Sequence, residues 1–297
     1  MKYLIIVNSK CYKRRRFGIQ TIMDAMAKGF KTELVFTEYK GHATEIARNS
    51  TLYDTVVVAG GDGTIGEVVN GLDLSRQNLA IIPLGTGNNL ARDLKINPSN
   101  AVDVAERGLD TEIDLIKCNV KSRKNDEAFY VASTAGLGFT SSCASLANRY
   151  FKCFGPACYH IAGCVTTFYA KPITGSITID GGQPKTVALT NLILNNSKHA
   201  GNLCVFPNAK LSDERFDLFM DKANILTQSL WNISIFTKQF YCGSRTQSAK
   251  SCSIKLDSPA DLMVDGEVLK GILEVDFRIM PKALRLRVPQ ENENTFC

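Results

Sequence analysis

The stretch VVVAGGDGTIGEVVNGL (56–72) contains the most informative transition in the chain. An apolar, β-branched run stops at two glycines, and a pattern typical of a helix begins at Thr64. The glycines satisfy G-x-G-x-x-G between a predicted strand and a predicted helix, the context of a phosphate-binding loop: Gly61, Gly63 and Gly66. Asp62 is unexpected there, because a carboxylate repels phosphate unless a divalent cation lies between them.

Three interpretations of this loop compete. A dinucleotide fingerprint is weakened because the strand is the third predicted one, and no acid stands about 20 residues further on, where PLGT (83–86) occurs. A P-loop is excluded because no Gly-Lys-Ser/Thr follows. The structural interpretation is a capping box of Thr64 and Glu67, which we predict but which leaves Asp62 unexplained. The sequence therefore favours a Mg²⁺-nucleotide site, with Asp62 acting on the metal directly or through water.

A second glycine-rich turn supports this interpretation. LAIIPLGTGNNLARDL (79–94) again reads as a strand, the turn Gly85-Thr86-Gly87 and a helix. Asn88 is explained equally well as the N-cap of that helix. Two such turns at neighbouring strand ends are predicted to face one crevice.

The pattern of predicted elements changes along the chain. The first third alternates β-rich runs with helical patterns, which predicts a parallel sheet covered by helices on both faces. After about residue 118, short strand-like runs predict mainly antiparallel sheet. The predicted domains are 1–118 and 119–297, with further helical patterns near 17–28, 140–150, 157–170 and 226–240.

Composition narrows the class of protein. No apolar stretch in the 297 residues approaches the ~18 needed to span a bilayer, and the basic cluster 10–16 follows the first apolar run, so we expect no signal peptide. Ten cysteines without C-x-x-C spacing, beside only three histidines, favour reduced thiols in the cytoplasm. The net charge of +6 favours anionic partners such as nucleotides or a membrane surface, but is weak for a nucleic-acid binder.

Two acidic segments are open to a structural or a functional interpretation. In DLMVDGEVLKG (261–271), Asp-Gly between β-rich runs indicates a type I′ hairpin. Phosphate transfer to a hydroxyl also needs a proton acceptor, for which Asp265 and Glu267 are candidates. In LSDERFDL (211–218), Asp213 and Asp217 are either cation ligands or solvated acids.

Three motifs in order, AGGDGT (59–64), PLGTGNNLAR (83–92) and VDGE (264–267), resemble the diacylglycerol kinase catalytic-domain family, in particular its soluble bacterial lipid kinases. GGDGT alone also resembles NAD kinases and, more remotely, phosphofructokinases. The resemblance implies an N-terminal Rossmann-like nucleotide domain and a C-terminal antiparallel β-sandwich, with the active site in the cleft between them.

The resemblance also implies cofactors and residue roles. Glu267 would be the general base on a lipid hydroxyl, with Asp265 as its acidic neighbour and Asp62 on Mg²⁺. Asp213, with the carbonyls of Lys210 and Arg215, would hold a structural Mg²⁺, although Glu214 stands where the family usually has glycine. The residues expected to hold ATP are Thr37, Gly61, Asp62, Gly63, Thr64, Gly85, Thr86, Gly87 and Asn88.

The sequence thus predicts an ATP-dependent lipid kinase, with diacylglycerol as the favoured acceptor and phosphatidic acid as the product. One alternative is an NAD kinase, which would be expected to carry Asn-Glu or Asn-Asp where this chain has Asn88-Asn89. Another is a nucleotide- or lipid-binding protein without turnover, motivated by the irregular loops 8–17 and 213–215. We also expect a possible homodimer, no nucleic-acid partner, and transient membrane contact through the basic cluster 10–16 and the loop 243–251.

Overall fold

A computed structural model describes residues 2–14, 31–123, 125–151, 158–200, 203–222 and 246–290. These residues form two compact units. Unit 1 comprises the described residues up to Leu115, Leu211–Asp213 and those from Pro281, and unit 2 comprises those in Ile116–Lys210 and Glu214–Met280. The predicted helices near 17–28 and 226–240 lie outside the described residues.

Unit 1 is built on a parallel sheet with the strand order β4-β3-β1-β2. Strands β3 and β4 are buried along their whole length, which explains their unbroken apolar sequences. The strands are β1 (Lys2–Asn8), β2 (Lys31–Thr37), β3 (Thr55–Gly60) and β4 (Asn78–Pro83). The described helices are α1 (Ser9–Arg14), α2 (His42–Arg48), α3 (Asp62–Val69), α4 (Asn89–Asp93) and α5 (Ala101–Arg107).

Unit 2 is mainly antiparallel, as predicted. Its strands follow the order β14-β13-β10-β7-β15-β16, with β8 also on β15, β9 on β8, and β5 on both β16 and β6. Buried apolar side chains of these strands, such as Leu218, Leu262 and Phe277, form its core. The longer strands are β5 (Leu109–Ser122), β6 (Asp126–Val131), β7 (Thr134–Gly138), β8 (Ile173–Ile179), β9 (Lys185–Leu189), β10 (Asn191–Asn195), β13 (Phe216–Asp221), β14 (Thr246–Ala249), β15 (Ser251–Val264) and β16 (Glu267–Val288).

Short pieces complete unit 2. The strands β11 (His199–Ala200) and β12 (Leu203–Cys204) pair with each other. Between β7 and β8 lie α6 (Phe139–Leu146), a π-helical turn (Ala147–Phe151) and α7 (Cys158–Thr166). No helix in the part of the chain that the structure describes is long and apolar enough to cross a bilayer.

The last strand explains why the units differ from the predicted domains at the C-terminus. Leu286 of β16 pairs in parallel with Leu79 of β4, so the end of this strand completes the sheet of unit 1. The predicted second domain, 119–297, included these residues because the short strand-like runs that begin after about residue 118 continue through 283–288.

Arg287 anchors the end of β16 to other residues of unit 1. Its side chain is buried, and Nη1 donates to the hydroxyl of Tyr3 at 3.1 Å and to the carbonyls of Ala105 and Glu106 at 2.6 and 3.0 Å. Nε lies 3.4 Å from a carboxylate oxygen of Asp110. Because both carbonyls belong to the last turns of α5, the guanidinium also stabilises the C-terminus of that helix.

We predict that Arg287→Ala lowers the free energy of unfolding by about 3 kcal/mol, because several buried hydrogen bonds to a charged group are lost together. Arg285→Ala is the matched control on the same strand. Arg285 forms an exposed pair with Glu112 at 3.5 Å, so its loss should cost under ~1 kcal/mol. Urea unfolding of both variants checks this, and equal losses would contradict the anchoring role of Arg287.

Candidate functional site

The carboxyl ends of the parallel strands meet at one edge of unit 1. The register places Asn8 opposite Thr37 and Gly60 opposite Pro83, so both glycine-rich turns leave the sheet at this edge. Thr37, predicted to contact nucleotide, lies here and is buried. Open α/β sheets bind their ligands at this edge.

The two glycine-rich turns touch each other. A Cβ atom on Gly85 would lie 2.4 Å from the Cα of Gly61, and one on Gly61 would lie 2.9 Å from the Cα of Gly85. Both distances are shorter than any real carbon contact, so glycine is required at both positions. A Cβ on Gly87 would also approach Oδ2 of Asp62 to 2.9 Å. The two turns therefore meet at this edge of the sheet.

Asp62 joins the first turn to the second. Its Oδ1 accepts a hydrogen bond from the backbone N–H of Asn89 at 2.8 Å. Burial raises the pKa of Asp62 to about 6, and backbone N–H groups, including those of Asn88, Asn89 and Leu90, offset part of that rise. The carboxylate thus caps the start of α4, and a nearby cation would favour its charged form.

Asn88 shapes the second turn. Its backbone is left-handed, with φ 48° and ψ 46°, a conformation that asparagine tolerates better than most residues. The side chain accepts from the N–H of Gly85 at 2.9 Å and donates to the carbonyl of Gly85 at 3.1 Å. Asn88 therefore occupies the N-cap position, but its side chain closes the glycine turn while Asp62 supplies the cap.

The predicted capping box of Thr64 and Glu67 is wrong. The N-cap of α3 is Gly61, whose carbonyl accepts from the N–H of Thr64 at 2.9 Å, so the T-x-x-E pattern lies inside the helix. The Thr64 hydroxyl instead accepts from Nδ2 of Asn8 at 2.8 Å, which links β1 to α3. This contact of Asn8, at the carboxyl end of β1, was not predicted from the sequence.

Glu67 caps a different helix. Its carboxylate accepts from the N–H of Gly41 at 3.0 Å and of Ala43 at 3.3 Å, which are orphan donors at the start of α2. The hydroxyl of Thr44 also donates to the Glu67 carbonyl at 2.8 Å. This contact fixes α2, which follows Thr37, against α3.

In unit 2, the Asp265-Gly266 turn joins β15 to β16. The φ angles of 47° and 89° at these residues, with Val264 paired to Glu267, confirm the two-residue hairpin. The buried Asp265 carboxylate accepts three backbone N–H groups, those of Ala132, Ser133 and Thr134, at 2.8, 2.8 and 3.0 Å. Both of its oxygens are thus engaged in holding the hairpin against the start of β7.

Further polar contacts surround this turn. Nδ2 of Asn148 donates to the carbonyl of Gly266 at 2.7 Å. The hydroxyl of Thr134 donates to Asn195, whose Nδ2 donates to the carbonyl of Ser197 at 2.6 Å. Asn148 and Asn195 were not predicted from the sequence, because Gly266 and Thr134, through which they reach this turn, are distant from them in the chain. Glu267 lies half-buried at the first position of β16.

Comparison with known proteins identifies the family. The profile of the diacylglycerol kinase catalytic domain matches residues 2–118. A diacylglycerol kinase of Staphylococcus haemolyticus is 31% identical over 294 residues, covering 93% of this chain and 85% of that protein. The chain belongs to the diacylglycerol kinase family. Its members are phosphotransferases with an alcohol group as acceptor, and a kinase implies ATP as the phosphate donor.

Two further relatives of this diacylglycerol kinase family member are similar along their whole length. A diacylglycerol kinase of Staphylococcus saprophyticus is 30% identical over 293 residues, covering 93% of this chain and 92% of that protein. The crystal structure of a diacylglycerol kinase from Bacillus anthracis shares the fold, with a TM-score of 0.75 at 23% identity, covering 98% of this chain and 97% of that chain.

The residues of this family member are compatible with a magnesium ion whose ligands are mostly phosphate oxygens of a bound nucleotide. Among the residues that the structure describes, no group of three or more His, Cys, Asp or Glu side chains could hold a metal. Magnesium commonly binds through one or two carboxylates plus substrate phosphates and water. The single, half-buried carboxylate of Asp62, beside two glycine turns, matches that pattern.

In the loop of the implied structural Mg²⁺ site, Glu214 stands where the family usually has glycine. Glu214 has φ 61°, the left-handed conformation that favours glycine, and its carboxylate lies 3.4 Å from Nζ of Lys250. Asp213 is exposed, and the Arg215 guanidinium donates to the hydroxyl and carbonyl of Ser248 at 2.9 and 3.0 Å. The metal-binding role of Asp213, Lys210 and Arg215 stays a prediction.

We predict that Asp62 makes the unfolding free energy of this kinase pH-dependent when divalent cations are absent. Because its folded pKa of about 6 exceeds the ordinary value of 3.8, the folded state binds the extra proton. The free energy of unfolding should then fall as the pH rises from 4 to 6, by about 2 kcal/mol. Urea unfolding of the wild type and of the Asp62→Asn variant at both pH values checks this prediction. The variant should not lose free energy of unfolding between pH 4 and pH 6. An unchanged pH dependence in the variant would contradict the assignment.

Proposed function

We propose that this protein is an ATP-dependent lipid kinase that transfers the γ-phosphate of Mg-ATP to a lipid hydroxyl, with diacylglycerol as the favoured acceptor. The observation that carries the proposal is the contact between the two glycine turns at the carboxyl edge of the unit 1 sheet, with Asp62 fixed between them. The relatives named above, which are called diacylglycerol kinases, support the choice of acceptor.

Unit 1 supplies the nucleotide side of the reaction. When bound, Mg-ATP supplies the electrophilic phosphorus, and its cation neutralises charge on the phosphates. We assign the N–H groups of Gly61 and Gly63, at the start of α3, to phosphate oxygens, and Asp62 to the cation, which it would bind directly or through water. The proposed contacts of the second turn and its surroundings are Thr37, Thr64, Gly85, Thr86, Gly87 and Asn88.

The lipid hydroxyl must lose its proton as it attacks the γ-phosphate, so a group that accepts the proton is needed. We assign this general base to Glu267, the residue that follows the Asp265-Gly266 turn. Asp265 acts as a positioning residue, because its three backbone hydrogen bonds hold the turn and therefore the start of β16. Catalysis then rests on positioning and on charge neutralisation rather than on a covalent intermediate.

A transfer assay tests the proposed function. The purified chain is incubated with Mg²⁺ and γ-labelled ATP, with mixed micelles of a total lipid extract in one tube and NAD in another. We expect label in the organic phase that comigrates with phosphatidic acid. Label on NAD would overturn the proposal in favour of an NAD kinase, and tight ATP binding without transfer would favour a binding protein.

We predict that Glu267→Gln lowers kcat about 10²- to 10⁴-fold, because the amide cannot accept the proton of the lipid hydroxyl. The KM for ATP should change little, since Glu267 is assigned to the acceptor. Asp257→Asn, which also removes a carboxylate from the β15–β16 hairpin but at an exposed position, is the matched control and should keep wild-type activity. Full activity of the Glu267→Gln variant would refute its role as the base.

A further inference from the structure

One long segment of unit 2 carries no acidic side chain. From Ala128 to Ile179 the sequence has neither Asp nor Glu, although the whole chain contains 29. The basic residues within it are Arg149, Lys152 and Lys171. The formal charge of the segment is therefore positive, and its described part includes α6, the π-helical turn and α7.

This segment also carries most of the exposed large apolar side chains in the described part of the chain. Tyr150 is 57% exposed, Val165 41%, Phe168 76% and Tyr169 48%. We call these four residues the aromatic surface. The elements that carry them pack together through an inner cluster that contains Ala147, Cys158 and Ala162. That inner face is covered by its own packing, and the large side chains of the aromatic surface remain exposed on the outside.

Three of the four residues of the aromatic surface lie together around the end of α7. The carbonyl of Thr166 accepts the N–H groups of Tyr169 and Ala170 at 3.1 and 2.9 Å, so the chain keeps turning beyond the end of α7. Val165, Phe168 and Tyr169, at helical spacing, therefore project from one side while Thr166 is buried. On the π-helical turn, the Arg149 guanidinium lies 5.1 Å from the ring centroid of Tyr150.

The chemistry of this surface fits an anionic bilayer. Tyrosine and phenylalanine rings insert at the level of lipid headgroups, and Arg and Lys beside them attract anionic lipids. A cation stacked on tyrosine keeps its charge at the same depth as the ring. A second copy of the chain fits less well, because a two-fold contact through this segment would bring two basic surfaces together without any acid from the segment.

We propose that the aromatic surface docks this protein onto an anionic membrane. The inference deepens the proposed function and rests on it in part, since a lipid kinase must reach an acceptor that resides in a bilayer. The membrane contacts predicted for the segments 10–16 and 243–251, each of which lies partly outside the described residues, stay predictions. The sequence alone did not distinguish these side chains from core.

The test compares two equally exposed apolar residues. Phe168 is 76% exposed and Leu52, in unit 1, is 77% exposed, so Phe168→Ser and Leu52→Ser remove similar free surface. We expect Phe168→Ser to weaken cosedimentation with phosphatidylglycerol-containing vesicles about tenfold, because insertion of the ring is lost. Leu52→Ser should bind like wild type, and all three proteins should bind pure phosphatidylcholine vesicles weakly.

Several results would overturn this docking role. These are wild-type vesicle binding by Phe168→Ser, equal loss of binding in both variants, or a dimer in sedimentation velocity that Phe168→Ser alone dissolves. The proposed function fails separately. Vesicle binding that depends on Phe168, without phosphate transfer to any lipid, would sustain the docking surface and refute the kinase. Activity on a short-chain, water-soluble diacylglycerol should be unchanged in Phe168→Ser, while activity on vesicles falls.

Discussion

The close approach of Gly61 and Gly85 is the constraint on which the candidate nucleotide site depends. A Cβ on Gly85 would come within 2.4 Å of the Cα of Gly61, so any side chain there would drive the two turns apart. The parallel register brings the turns to the same edge, and only glycine then lets them touch. That contact places Asp62 against the first N–H groups of α4. One steric requirement thus determines where the carboxylate points and which backbone donors remain for a ligand.

Local chemistry made much of the fold predictable. Buried parallel strands have unbroken apolar sequences, and glycine turns or Asp-Gly mark where those strands end. Most described strands therefore lie where they were predicted. Long-range partners were not predictable. The T-x-x-E pattern of Thr64 and Glu67 would cap an isolated helix, but Asn8 and the start of α2 compete for these side chains. The length of β15 was also missed, because an irregularity between Lys255 and Ala260 lets the strand continue past Pro259.

In unit 2, the Asp265-Gly266 turn and Glu267 have both a structural interpretation, as a hairpin, and a functional one, as part of a catalytic site. The Asp-Gly hairpin was expected from turn chemistry alone, and the structure adds three backbone N–H donors to the Asp265 carboxylate. These hydrogen bonds fix the turn. A carboxylate that directly follows it, such as that of Glu267, is therefore held in a defined position, as a catalytic base requires. The exposure of the aromatic surface, in contrast, could not be predicted from the sequence. Apolar residues at helical spacing indicate core from sequence alone, and only the packing of α7 shows which of them face outward.

We infer that the two contacting glycine turns bind the phosphates of ATP. Hydrogen exchange of the backbone amides, measured with and without Mg-ATP, tests it most directly. We predict slower exchange at Gly61–Thr64 and at Gly85–Asn89 when Mg-ATP is present, because these N–H groups become donors to phosphate or are shielded by it. Saturating Mg-ATP that leaves both turns unchanged while protecting another part of the chain would contradict the account.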